Sequence, residues 1–183
     1  ADLVMLAGCQ STASGTSQSA DSATATESGT VKSKVDYDLE FSSDDLEVGY
    51  DEADSTTIQL ADDQNTSSGE GATVDGNVVT ITTGGTYLIS GTLSDGQIKV
   101  TAPDTQEVHL IFDGVDITSS TTAPLLIEEA DKVFVTLAEG SENTLTDKAG
   151  STATIGTDAD ATSIDGTIFS KADLAFNGSG SLT

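Results

Sequence analysis

Ile98-Lys99-Val100, followed after seven residues by Val108-His109-Leu110, is a pair of short apolar alternations that returns twice along the chain. Leu125-Leu126-Ile127 with Val133-Phe134-Val135 is the second pair, and Ile168-Phe169-Ser170 with Leu174-Ala175-Phe176 is the third. Ala130-Asp131 and Ala172-Asp173 hold similar places in the later two spacers. Apolar residues at every second position mark strands with one dry and one wet face. Ile98 and Leu125 stand 27 residues apart, a suitable length for one coil of a parallel β-helix, whereas Leu125 and Ile168 stand 43 apart. The excess falls in polar sequence, so 147–163 reads as a loop inserted at one corner. Stacked coils would bury a continuous column of alternate residues. The expected core is therefore Ile98, Val100, Val108, Leu110, Phe112, Ile117, Leu125, Ile127, Val133, Val135, Leu137, Ile168, Leu174 and Phe176. A β-sandwich gives the same alternation and remains the alternative.

Outward from these repeats, further strands are expected at Thr57–Leu60, Val78–Thr82 and Thr86–Ser90, and the unit strands extend to Gln97–Thr101, Val108–Asp113, Leu125–Glu128, Val133–Leu137, Thr167–Ser170 and Leu174–Phe176. Asp75-Gly76-Asn77, Gly84-Gly85, Asp95-Gly96 and Asp113-Gly114 favour reversals or corners between them. No amphipathic helix of 10 or more residues is visible. Val35-Asp36-Tyr37-Asp38-Leu39-Glu40-Phe41 alternates strictly and predicts one more strand. The acidic stretch from Ser42 to Asp54, with Tyr50 as its only aromatic residue, predicts a helical turn or irregular cap. Residues 35–56 thus form an N-terminal cap and 57–183 the coils of an all-β domain.

The 183 residues include six lysines, no arginine and 31 acidic residues, a formal charge of −25. Such a surface repels nucleic acid and anionic headgroups. It serves solubility or gathers hard cations such as calcium, which take oxygen ligands. One cysteine excludes an intrachain disulfide and a cysteine-based zinc cluster.

That cysteine closes Leu6-Ala7-Gly8-Cys9, after Leu3-Val4-Met5 and ahead of a long small-polar run. The string resembles the lipobox of bacterial lipoproteins. The resemblance implies a signal peptide ending at residues 1–8 and diacylglycerol on Cys9, hence an extracytoplasmic protein exposed on the cell surface and anchored to the membrane by lipid. From Gln10 to Thr30 there is no Val, Ile, Leu, Phe, Tyr or Met. Such a segment cannot bury enough apolar area to offset its ordering entropy, so 9–34 is expected to be a tether.

Several longer strings carry a second resemblance: Gly85-Thr86-Tyr87-Leu88-Ile89-Ser90-Gly91-Thr92-Leu93-Ser94-Asp95-Gly96-Gln97-Ile98, Val108 to Ile117, Ala138-Glu139-Gly140-Ser141-Glu142-Asn143-Thr144-Leu145, and Ile168 to Leu174. From about Asp44 onward the chain is similar to a family of bacterial surface proteins known as carbohydrate-binding domain-containing. The resemblance implies a right-handed parallel β-helix akin to pectate-lyase folds, binding calcium and acidic or cellulosic plant polysaccharide. Members are usually longer, so this chain is expected to be the N-terminal fragment of a longer solenoid.

Three functions follow as expectations. The first is calcium-dependent, non-catalytic binding of polysaccharide such as polygalacturonate or cellulose. Strands stacked about 4.8 Å apart would let neighbouring carboxylates share an ion, and Asp95, Asp113, Asp116, Asn143, Asp165 and Asp173 are the candidate ligands. Against this, aspartate before glycine also simply makes turns. Tyr50, Phe134 and Phe169 are candidate sugar contacts, the two phenylalanines as an outward stripe or else covered by the inserted loop. The second is lyase chemistry with a lysine base, Lys171 beside Asp173 being preferred over Lys99 and Lys132. The third is an adhesin or spacer without sugar binding. No nucleic-acid or protein partner is expected.

Overall fold

The computed structural model describes residues 41–148, 153–157 and 161–183, all of which belong to one compact unit. The signal segment, Cys9, the tether and most of the Val35–Phe41 strand lie outside the described residues. Described Phe41 is in no strand.

In chain order the strands are β1 (Thr56–Leu60), β2 (Thr66–Ser67), β3 (Ala72–Asp75), β4 (Val78–Ile81), β5 (Gly85–Leu93), β6 (Gln97–Thr101), β7 (Val108–Ser119) and β8 (Leu125–Glu129). They continue with β9 (Lys132–Leu137), β10 (Glu142–Asp147), β11 (Thr154–Ile155), β12 (Thr162–Ser163), β13 (Ile168–Ser170), β14 (Asp173–Gly178) and β15 (Ser181–Leu182). Two single helical turns, Asp44–Leu46 and Glu52–Asp54, precede them. The described chain is all-β, with every expected strand from Thr57 onward present.

Two mixed sheets hold most of the strands. One runs β14-β9-β7-β5-β1-β2, with β10 joining the far half of β7 and pairing with β15; the other runs β13-β8-β6-β4-β3. Within them only β1–β2 and β3–β4 are antiparallel, unlike the sheets of an antiparallel sandwich. The chain alternates between the sheets, and each return lays a strand parallel to its predecessor. The registers place the repeated units side by side: Val79, Ile98, Leu125 and Ile168 are successive partners in one sheet, and Val108, Val133 and Leu174 in the other.

Because side chains alternate faces, these registers stack the apolar set inward. Tyr87, Leu110 and Val135 form one column, Ile81, Val100 and Ile127 another, and Leu93, Ile117 and Leu145 a third. All are buried. Parallel sheets require such cover. At the edge strands β13 and β14 the columns thin out. Ile168 and Leu174 are half-buried, and Phe176, expected in the core, is 45% exposed. Among the described residues no strand lies beyond β14 to cover its ring.

Two local expectations change. Asp113-Gly114 is not a corner: β7 runs through it, with Phe112 opposite Ile89 and Val115 opposite Gly91, so Asp113 and Gly114 together oppose Ser90 in a bulge. The inserted stretch 147–163 is not wholly loop. Its β11 and β12 pair antiparallel, and Ala153 and Ile155 pack with Phe169 on a small cluster of Ala123, Leu126 and Ile164 outside the main core.

Candidate functional site

The segment entering the fold is held by its own polar residues. The Ser42 backbone N–H and hydroxyl both donate to Asp45 Oδ2, at 2.9 and 2.8 Å, and the Asp45 N–H donates back to Ser42 Oγ at 3.2 Å, closing the turn Asp44–Leu46. Beside it on β9, Lys132 forms an ion pair with Asp45. That ammonium, followed by the Ser42 donors, lowers the Asp45 carboxyl to about 2. From β14, Asn177 Nδ2 donates to the carbonyls of Asp45 at 3.1 Å and Glu47 at 2.8 Å. Thr136 Oγ1 donates to Asn177 Oδ1 at 2.6 Å, which fixes the amide with its NH2 toward the segment.

Pinned there, the segment and the outer ends of β9 and β14 enclose two adjoining hollows. One, of about 370 Å³, lies between Val48 and Tyr50 on one side and Thr136, Leu137, Ala138, Glu139, Gly178 and Ser179 on the other. The other, of about 500 Å³, lies between Phe41, Leu46 and Val48 and the β14 residues Leu174 to Gly178. Val48 and Gly178 belong to both, so they form one groove. Gly178, at φ +94°, keeps its floor low: a Cβ there would strike the Leu137 carbonyl. Phe41, Leu46, Val48, Tyr50 and Phe176 are all large apolar residues left exposed, and all line this groove. A contiguous exposed apolar patch on so acidic a protein marks a contact surface.

Of the expected sugar contacts, only Tyr50 reaches the groove. Phe134 is 1% exposed despite its outward phase. Its ring stacks on His109, with centroids 4.6 Å apart at 17°, and Lys132 Nζ lies 5.0 Å from its centroid. Phe169 lies in the other sheet, packed against the cluster around Leu126 and Ile164. With Phe134 buried, Phe169 half-buried and the two in different sheets, the rings form no stripe. Tyr87 belongs to the core, its hydroxyl donating to the Thr83 and Gly71 carbonyls.

The expected calcium ligands do not converge. Among the described residues no three His, Cys, Asp or Glu side chains come together as a metal cluster. Asp95 accepts from the Ser120 N–H and hydroxyl at 2.9 and 2.7 Å, and Asp62 accepts from the Ser94 N–H at 2.9 Å. These contacts, the serine hydroxyl foremost, lower both carboxyls. Asn143 is 1% exposed; its Oδ1 accepts from the Gly114 and Val115 N–H groups at the bulge, and its Nδ2 donates to Ser141 Oγ and the Ser181 carbonyl. No lone pair of that amide faces a metal cavity, so Asn143 is a backbone clamp. Asp113, Asp116 and Asp165 are exposed singly, and Asp173 lies in register with Lys132.

The groove's polar anchors Asp45, Thr136 and Asn177 were absent from the sequence expectations. A signal for its apolar wall was present: Leu46, Val48 and Tyr50 alternate with Glu47, Gly49 and Asp51. Alternation outside a strand marks a strip of chain with one apolar side.

Residues 75–183 match the family described as "Carbohydrate-binding domain-containing protein". The chain belongs to that family. A carbohydrate-binding domain-containing protein of Acetivibrio thermocellus is 37% identical over 122 residues, covering 67% of this chain and 42% of that protein. A solved structure of a polysaccharide lyase-like protein from C. thermocellum, in a gadolinium derivative, superposes with a TM-score of 0.62 at 34% identity, covering 70% of this chain and 51% of that one. The chain thus spans about half the length of these relatives or less.

Proposed function

We propose that this chain is a non-catalytic polysaccharide-binding module, built as a right-handed parallel β-helix and held at the cell surface by lipid on Cys9. The observation that carries the binding reading is the groove, where Tyr50, Val48, Phe41, Leu46 and Phe176 offer apolar surface beside Glu139 and Ser179. Sugar rings stack an apolar face on such side chains while neighbouring polar groups fix their orientation. Supporting the β-helix are the parallel registers and the alternation of the chain between two sheets; the handedness follows the general rule for parallel crossovers.

Of the three candidate lyase bases, Lys171 is exposed between β13 and β14, whereas Lys99 is paired with Glu128 at 2.9 Å and Lys132 is held as a cation by Asp45, which raises its pKa. A general base must be readily deprotonated, and an ammonium bound to a carboxylate is not. Calcium belongs to the proposal as a bridge between exposed carboxylates and the carboxylates of a polyuronate, with the polymer supplying part of the oxygen shell.

The test is retention on cellulose and on polygalacturonate, with calcium or with chelator. The native chain is expected to be retained, and Tyr50→Ala to bind about tenfold more weakly, as loss of a stacked ring implies. Unchanged binding by Tyr50→Ala would overturn the groove as the site. A steady rise in the ultraviolet absorbance of unsaturated uronates would replace the reading with a lyase.

A further inference from the structure

We propose that residues 41–50 are a clasp that makes one wall of the polysaccharide groove, and that Asn177, Thr136 and Lys132 are positioning residues for binding. The proposal rests on the reading of the groove as the polysaccharide site. Phe41, Leu46, Val48 and Tyr50 are all supplied by this one segment, which contains no β-strand and is joined to β14 by contacts spanning 130 and 132 residues of sequence. Its described anchors converge on a few atoms: two carbonyls held by the Asn177 amide, and one carboxylate held by Lys132.

The topology makes this clasp separable from the folded core. It is fastened at β14, yet the chain next enters β1, which lies four strand spacings away in the same sheet order. That is a crossing of roughly 19 Å at about 4.8 Å per spacing. The core columns run through β1 to β14 without it, since none of residues 41–50 belongs to the buried set. Releasing the anchors therefore removes a wall of the groove and leaves the inward columns intact. Thr136 is the orienting member. Without its hydroxyl, Asn177 Oδ1 loses its donor, and a flipped amide would point oxygen at the two carbonyls it now serves.

The linkage is reciprocal: polysaccharide that binds the assembled groove must favour the docked clasp. The experiment uses the full chain, with cellulose and with polygalacturonate plus calcium as probes, reading hydrogen exchange at 41–50 and affinity together. Asn177→Ala, Thr136→Val and Lys132→Gln are each expected to speed exchange at 41–50, leave exchange in β5 and β6 unchanged, and weaken binding about tenfold. The paired reversal Asp45→Lys with Lys132→Asp is expected to regain affinity over either single change. Added polysaccharide is expected to slow exchange at 41–50 in the native chain. If Tyr50→Ala weakens binding while the anchor variants loosen the clasp without loss of affinity, the clasp proposal fails and the groove stands. If Tyr50→Ala also binds normally, both fall. Exchange at 41–50 that the anchor variants or the polysaccharide leave unchanged also overturns the clasp.

Discussion

Asn143 shows how much one side chain decides here. Its amide meets two N–H groups at the β7 bulge and a carbonyl on β15, so it joins a distorted strand to its neighbours where the ladder has lost register. Asn143→Ala would strand those groups in a buried site, costing about 2–4 kcal/mol. Urea unfolding is the check: the midpoint should fall, and calcium should not restore it. A calcium-dependent recovery would return Asn143 to the list of metal ligands. The sequence marked this residue as important but misassigned its chemistry, because an asparagine beside a turn looks the same whether its oxygen serves a metal or two backbone amides.

At the scale of the element, the clasp carries the clearest pH dependence. The Asp45 carboxyl titrates at about 2 when docked, below its ordinary 3.8. A depressed acid contributes docking free energy in full above its undocked value and loses it as pH falls through the docked one. Docking should therefore hold down to about pH 4 and weaken toward pH 2. Asp173 and Glu107 also face Lys132 and raise its pKa, so the ammonium stays charged throughout. Carboxyl carbon shifts of Asp45, followed by NMR, should give a midpoint near 2 in the native chain, moving up toward 3.8 in Lys132→Gln. An unmoved midpoint would show that Lys132 does not hold the clasp. Strand elements were legible from apolar alternation wherever burial was one-sided. β10 and β11 were not, because Glu142–Asp147 and Thr154–Ile155 are largely polar and gain strand form from their partners.

At the scale of the whole molecule, the strongly acidic composition, a charge of −25 over the full chain, works against compaction. Raising NaCl from roughly 10 to 500 mM should screen that repulsion and lift the urea midpoint. Calcium chloride at equal ionic strength should lift it no further unless polyuronate is present, since the described carboxylates do not converge on a common point. A larger calcium effect on the protein alone would signal a resident site. The sequence by itself determined the all-β class, the strands of the repeated units and which of their faces turns inward, because apolar period-two alternation is a local record of one-sided burial. The partnering of Ile98 with Leu125, and of Leu125 with Ile168, was also legible, since equivalent strings recur along the chain. Only the tertiary structure decided the rest. Phe134 is buried by a histidine and a lysine from β7 and β9, Phe176 is exposed by its place on an edge strand, and the groove forms where residues 41–50 meet β14 across some 130 residues of chain. Such outcomes depend on what covers a face, and that is set by residues far away in the sequence.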